Sequence, residues 1–143
     1  MIRKMRLQDK EEVVEMMRGF YTSPAVHTNG SEEIYLADVE NCINDCPYLE
    51  GFVFEEKGNI QGYGMIAKSF STEFGKPCIW IEDLFIKEEY RKKGISRDFF
   101  EMLKNRYPNH LLRIEAEEEN ERAVSVYKKA GFQILPYLEL YKE

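Results

Sequence analysis

Tyr90-Arg91-Lys92-Lys93-Gly94-Ile95-Ser96 stands between an apolar, strand-like run from Cys78 to Ile86 and a helix-like run that begins near Ile95. A strand that enters a basic, glycine-containing turn and leaves as a helix presents several backbone N–H groups with no intrahelical partner. They converge on one small volume, where the helix dipole adds partial positive charge and Arg91, Lys92 and Lys93 raise the potential. Gly94 lets the backbone approach a bound group closely. The stretch is built to hold a pyrophosphate, and it sets a strand–turn–helix unit at the heart of the chain.

Two segments flank it. Upstream lies Ile81-Glu82-Asp83-Leu84-Phe85-Ile86, and downstream Asn120-Glu121-Arg122-Ala123-Val124-Ser125-Val126-Tyr127-Lys128-Lys129-Ala130-Gly131-Phe132. Working outward, Ile2 to Arg6 reads as a strand, and Asp9 with Glu12 as a capping-box start to a helix whose apolar face is Val13, Met16, Met17 and Phe20. Ser23-Pro24 breaks that helix, and Ser31 caps a second one that runs to about Asp45. Gly51 to Glu56 and Asn59 to Phe70 form a hairpin across Lys57-Gly58, and Lys76 to Lys87 is the next strand. Gly62-Tyr63-Gly64 marks a bulge or a close backbone approach, since no third glycine or helix follows it. Beyond the basic turn come a helix with Ile95, Phe99, Met102, Leu103 and Tyr107 on one side, a strand from Leu111 to Ala116, and a helix from Glu119 to Ala130. A terminal strand, or strand pair, is expected from Phe132 to Tyr141, with Pro136 at an edge or bulge. The pattern predicts a single α/β domain over residues 1–143, with a central mixed sheet and helices on both faces.

Composition narrows the function classes. With 143 residues, 43% hydrophobic and 13% aromatic, the chain can bury one proper core. No apolar run reaches the roughly 18 residues of a membrane span, and Met1-Ile2-Arg3-Lys4-Met5-Arg6 carries no signal-peptide core, so a cytoplasmic protein with no membrane partner is expected. Three cysteines do not make a disulfide framework, and Cys42 and Cys46, with only His27 and His110 elsewhere, do not make a zinc site; no metal is expected. A net charge of −6 argues against nucleic acid and suits a cationic substrate.

The three central segments resemble the GNAT superfamily of acyl-CoA-dependent N-acyltransferases. Its pyrophosphate loop, R/Q-x-x-G-x-G/A, is matched at Arg91 and Gly94, with Ser96 at the position of the last small residue. Its later segment, N-x-x-A-x-x-x-Y-x-x-x-G-F, is matched at Asn120, Ala123, Tyr127, Gly131 and Phe132. Glu82-Asp83-Leu84-Phe85 is most similar to the diamine and polyamine acetyltransferases within that superfamily.

The resemblance implies a mostly antiparallel twisted sheet with a splay between two parallel strands, here Lys76 to Lys87 and Leu111 to Glu117. It implies acetyl-CoA as cosubstrate. Leu84, Phe85 and Ile86 would pair with the pantetheine amides, and Arg91, Lys92, Lys93, Gly94, Ile95 and Ser96 would hold the pyrophosphate. Asn120 and Tyr127 would complete that site, although helix capping accounts for Asn120 equally well. Transfer would be direct, in a ternary complex, since no cysteine accompanies these motifs.

The chemistry needs two proton transfers. An aliphatic ammonium is no nucleophile until it loses a proton, and a departing thiolate must gain one. By resemblance, Glu82 is the base or proton-relay entry, often through a water, and Tyr127 the acid. The bland readings are an acid pair that serves the fold and a tyrosine that fills core. Glu82 and Asp83 should face opposite ways unless a bulge intervenes. Together with Tyr21 they are the candidate substrate-binding residues. A small polyamine-like primary amine is the first choice of acceptor; a peptide N-terminus or lysine, or an aminoglycoside, is the alternative. A noncatalytic acyl-CoA sensor or partner-binding module of the same fold would need neither Glu82 nor Tyr127. A homodimer, paired through Tyr137-Leu138-Glu139-Leu140-Tyr141, is a further expectation.

Overall fold

The computed structural model describes residues 1–143. Five strands form one sheet in sequence order: β1 (Ile2–Lys4), β2 (Leu49–Glu56), β3 (Asn59–Ser71), β4 (Lys76–Ile86) and β5 (Leu111–Ile114). The first three pairings are antiparallel, and β4 with β5 is parallel. Helices α1 (Lys10–Tyr21) and α2 (Glu32–Ile43) precede β2, α3 (Ile95–Arg106) joins β4 to β5, and α4 (Glu121–Lys129) follows β5. This is the α/β architecture expected from the sequence.

Apolar residues sort to two cores, one on each face of the sheet. Val13, Val14, Met16 and Met17 of α1 and Tyr35 and Val39 of α2 pack with Val53, Tyr63 and Met65. Phe99, Phe100 and Leu103 of α3 pack with Phe52, Phe54, Ile66, Ile79 and Ile81. The neighbours Phe52, Val53 and Phe54 enter alternate cores, as a strand period of two demands. Gly64 is small because Phe99 lies over it: a Cβ there would sit 2.7 Å from the ring.

Local signals were obeyed closely. Lys57 and Gly58, both at positive φ (51° and 81°), turn the β2–β3 hairpin. The Ser31 hydroxyl accepts from the Ile34 amide at 3.3 Å and caps α2. Gly131, at φ 99°, closes α4: its amide donates to Lys128 at 3.0 Å and that of Phe132 to Tyr127 at 3.0 Å. The glycine-flanked Tyr63 does sit at a close approach, because a Cβ on Gly62 would meet the Phe85 carbonyl at 2.2 Å.

Two expectations fail. Asp9 does not cap α1 through a box with Glu12; its carboxylate takes both Arg3 Nη1 at 2.8 Å and Nη2 at 2.9 Å, while Glu12 pairs with Lys87 at 2.6 Å. The charge of Arg3, brought alongside by β1, outcompetes a helix-end amide. The terminal strand from Phe132 to Tyr141 does not form either, and β5 pairs only with β4. Pro136 removes a donor from the middle of that run. Phe132 packs instead against Tyr127 and Phe100, and the Tyr137 hydroxyl donates to Glu73, while Ile134, Leu138, Leu140 and Tyr141 stay exposed and Glu139 comes beside the like charge of Glu115.

Candidate active site

β4 carries the site. Its residues from Cys78 to Ile81 pair with Leu111 to Ile114 of β5, and there the parallel pairing stops while β4 continues to Ile86. From Glu82 onward the edge of β4 turned away from β3 is open. Against β3, Met65 pairs with Asp83 and Ile66 with Ile81, which leaves Glu82 as the extra residue of a β-bulge. The bulge resets the alternation: Ile79 and Ile81 enter the α3-side core before it, and Leu84 and Ile86 pack there after it. Consequently Glu82 and Asp83 do not face opposite ways but line one cavity of about 240 Å3.

That cavity lies against α1 and α2. Leu49, Met65 and Ala67 give it an apolar wall, Tyr21 and Tyr48 contribute rings, and Asp38 of α2 joins Glu82 and Asp83 as a third carboxylate. Asp83 is 2% exposed and has both oxygens occupied: the Tyr21 hydroxyl donates to Oδ1 at 2.9 Å and the Tyr63 hydroxyl to Oδ2 at 2.7 Å. Burial pushes its carboxyl up to about 6, against the pull of the two hydroxyl donors, and the charges of Asp38 and Glu82 add to the rise. Glu82 stays exposed at the cavity mouth, and its pKa is also raised, by desolvation first and then by Glu139 and Asp38. Burial first, and then the neighbouring Glu139 carboxyl, push Glu115 up to about 7, with the charge of Glu82 adding to the rise. A larger hollow of about 570 Å3 on the outer face of α3, lined by Asp98, Glu101 and Asn105 among others, touches none of these groups.

The other end of β4 leads through a short 3-10 turn, Glu88–Tyr90, into the basic stretch. Lys92 and Gly94 both adopt positive φ, at 61° and 81°, and Gly94 opens α3 with no side-chain cap. The first amide to find a backbone partner is that of Asp98, which donates to the Gly94 carbonyl at 3.0 Å. The amides from Lys92 to Arg97 are left without a backbone partner, and amides so placed at a helix start can receive the oxygens of a pyrophosphate. Arg91 folds back: its Nε donates to the Ile86 carbonyl at 2.9 Å and its guanidinium lies 5.8 Å from the Phe85 ring centre. Its first task in this structure is to brace the loop against β4.

Tyr127 of α4 belongs to the opposite face. It packs edge-on against Phe100 and Phe132, each 6.1 Å away between ring centres, and burial alone raises its pKa. Asn120 accepts from the Ala123 amide at 3.3 Å and caps α4. Glu82 and Tyr127 thus lie on different sides of the sheet. Asp38 and Tyr63 were not singled out from the sequence. Asp38 did carry a signal, since it shares a helical face with Tyr35, Val39 and Cys42 and is an acid at core spacing.

A model of the Acetyltransferase (GNAT) family matches residues 11–132. The chain is 28% identical over 144 residues, covering 92% of it and 80% of the other protein, to a putative [ribosomal protein bS18]-alanine N-acetyltransferase of Bacillus subtilis (strain 168). It is 32% identical over 83 residues to the thialysine N-epsilon-acetyltransferase of Bos taurus, across 56% of this chain and 48% of that one. In fold it is similar to the solved structure of AAC(6')-Iy in complex with the bisubstrate analog CoA-S-monomethyl-acetylneamine, with a TM-score of 0.82, 16% identity, and coverage of 100% of this chain and 97% of that one.

Proposed function

The chain belongs to the acetyltransferase (GNAT) family and is an acetyl-CoA-dependent N-acetyltransferase; from that premise we propose that its acceptor is a small, cationic primary amine of polyamine type. The observation that carries this reading is the bulge at Glu82, which turns two adjacent carboxylates into one cavity with a third, Asp38. A cavity holding three acids and no basic side chain favours a cation.

In this reading the open edge of β4 and the amide cradle serve the two ends of one extended donor. Leu84 to Ile86 offer backbone partners to its pantetheine arm, and the turn from Arg91 to Ser96 receives its pyrophosphate, so the thioester arrives beside Glu82. The acceptor ammonium gives a proton to Glu82, directly or through a water. The neutral nitrogen attacks the thioester carbon, a C–N bond forms, the C–S bond breaks, and the thiolate takes the Tyr127 proton; the nitrogen, cationic after its attack, gives up its second proton through solvent, which restores the Tyr127 hydroxyl, and the proton on Glu82 leaves to solvent. Raised pKa values suit both groups to these tasks: Glu82 is a stronger base than an ordinary carboxylate, and Tyr127 keeps its proton until a thiolate demands it. Asp83, fully hydrogen-bonded, holds Tyr21 in the cavity wall instead of acting as the base.

Similarity along most of the chain to a ribosomal-protein alanine N-acetyltransferase favours a second reading, a peptide N-terminus as acceptor. Release of thiol from acetyl-CoA, measured with alkyl amines, diamines, N-terminal peptides and aminoglycosides, separates them. Turnover confined to peptides overturns the small-amine reading.

A further inference from the structure

Resting on the reading that this cavity takes the acceptor amine, we propose that the Tyr21 oxygen accepts a hydrogen bond from the attacking nitrogen, with Asp83 as the positioning residue that takes the Tyr21 proton and so leaves that oxygen an acceptor only.

The direction of one proton decides what Tyr21 can do. A phenol has a single hydrogen to give and lone-pair density with which to receive. The Tyr21 hydroxyl meets Asp83 Oδ1 at 2.9 Å. Asp83 titrates at about 6 and is therefore a carboxylate at neutral pH, a group that only accepts, so the hydrogen between the two oxygens belongs to Tyr21. The second oxygen of Asp83 is filled by the Tyr63 hydroxyl at 2.7 Å, and Asp83 and Tyr63 are shut from solvent, 2% and 0% exposed. With its hydrogen committed to this buried pair, Tyr21 has nothing left to donate to a ligand.

Tyr21 also stands where an acceptor nitrogen must come. Its hydroxyl rests on Asp83, the chain neighbour of Glu82, and all three residues line the cavity. It is the last residue of α1, and its ring is fixed edge-on by Phe20 at 5.0 Å and by Tyr35 at 5.4 Å between centres. An amine that has handed a proton to Glu82 still carries N–H groups and needs its lone pair aimed at the thioester carbon. An oxygen that accepts one N–H holds the nitrogen and leaves the lone pair free, whereas a hydroxyl turned the other way would donate to the lone pair and block the attack. As the C–N bond forms, the nitrogen becomes cationic and its N–H a stronger donor, so the bond to Tyr21 is worth more in the transition state than in the bound substrate. Donation to the Asp83 carboxylate makes the phenol oxygen a better acceptor in turn.

The test measures kcat and KM of the full chain with an n-alkylamine and with an N-terminal peptide, for wild type, Tyr21→Phe and Tyr63→Phe. For whichever acceptor is turned over, Tyr21→Phe should lower kcat by about 10–100-fold, the usual worth of a hydrogen bond to a charged group, with the KM values for acceptor and acetyl-CoA close to wild type. Tyr63→Phe takes an equal hydroxyl from Asp83 away from the cavity lining, and should keep most of the wild-type kcat. A Tyr21→Phe enzyme that changes only acceptor KM, or nothing, makes Tyr21 a wall residue and overturns the proposal while the acceptor site stands. An equal loss of kcat in both variants means that the effect runs through Asp83 alone, and overturns it as well. If wild type acetylates neither acceptor, the reading of the cavity falls and the role of Tyr21 falls with it.

Discussion

Asp83→Asn should change how the stability of this protein depends on pH, by an amount the structure allows to be worked out. Asp83 is 2% exposed, between the hydroxyls of Tyr21 and Tyr63, and its carboxyl titrates at about 6 against an ordinary value of 3.8. A folded-state pKa above the unfolded one means that the folded chain binds the proton more tightly, so the contribution to stability is present at low pH and is lost as pH rises through about 6. A gap of about two units corresponds to about 3 kcal/mol in the limit, of which about 2.5 kcal/mol is developed by about pH 4. Other carboxylates, such as Asp9 and Glu50, have lowered pKa values, so their contribution to stability is lost only as pH falls through and below the ordinary carboxylate range, at the acid end of the series. The quantity to measure is therefore the difference between wild type and variant. Urea unfolding of both proteins at steps from about pH 8 to about pH 4 cancels every group but this one. The difference should be flat above about pH 7 and then move in favour of wild type by about 2–3 kcal/mol. A flat difference across the whole range refutes the reasoning, because it means that Asp83 ionises as an ordinary, solvated carboxylate and that the tyrosine-locked arrangement is wrong.

Tyr127→Phe should lower kcat by about 10²–10⁴-fold, the usual worth of a general acid, with the KM for acetyl-CoA almost unchanged; a parallel loss of stability and KM would mark the residue as packing. Glu82→Gln should remove the limb of the kcat/KM profile that rises with pH, and that limb in wild type should lie above the ordinary carboxylate range; an unchanged profile assigns the base elsewhere. Gly94→Val forces a β-branched residue into φ 81° at a cost of about 1–2 kcal/mol and places a Cβ 3.0 Å from the Arg97 guanidinium, so acetyl-CoA KM should rise about tenfold with kcat at saturation retained. Glu50→Gln takes the charge out of a buried junction in which Arg106 at 2.7 Å, Lys68 at 3.2 Å and the Tyr107 hydroxyl at 2.5 Å converge, and should destabilise by about 1–3 kcal/mol in urea unfolding without altering acetyl-CoA KM.

What the sequence by itself determined were the features whose physics is local. The turn at Lys57-Gly58 needs positive φ, the Ser31 cap needs a hydroxyl three residues before Ile34, and Gly131 needs no Cβ at a left-handed helix end. The basic turn from Arg91 to Ser96 belongs with them, because an amide cradle at a helix start is made by consecutive residues. All are decided within a few positions, so a single chain displays them. Tertiary structure decided the rest. Whether Glu82 and Asp83 share a cavity depends on a register shift against β3, a strand that the sequence does not show to be slipped by one residue there. That Asp83 is locked by Tyr63 and Tyr21 depends on residues 20 and 62 positions away in the chain, and the Arg3 ion pair that draws Asp9 from the helix cap depends on where β1 lies. The same holds for the tail from Phe132 to Tyr141, which has a strand's composition but finds no strand to pair with: Phe132 packs on Tyr127 and Phe100, Tyr137 donates to Glu73, and Leu138 and Leu140 stay exposed. The amide turn is thus a local arrangement that a sequence can display, whereas the cavity that gathers Glu82, Asp83 and Asp38 exists only once α1, α2 and the bulged β4 have come together.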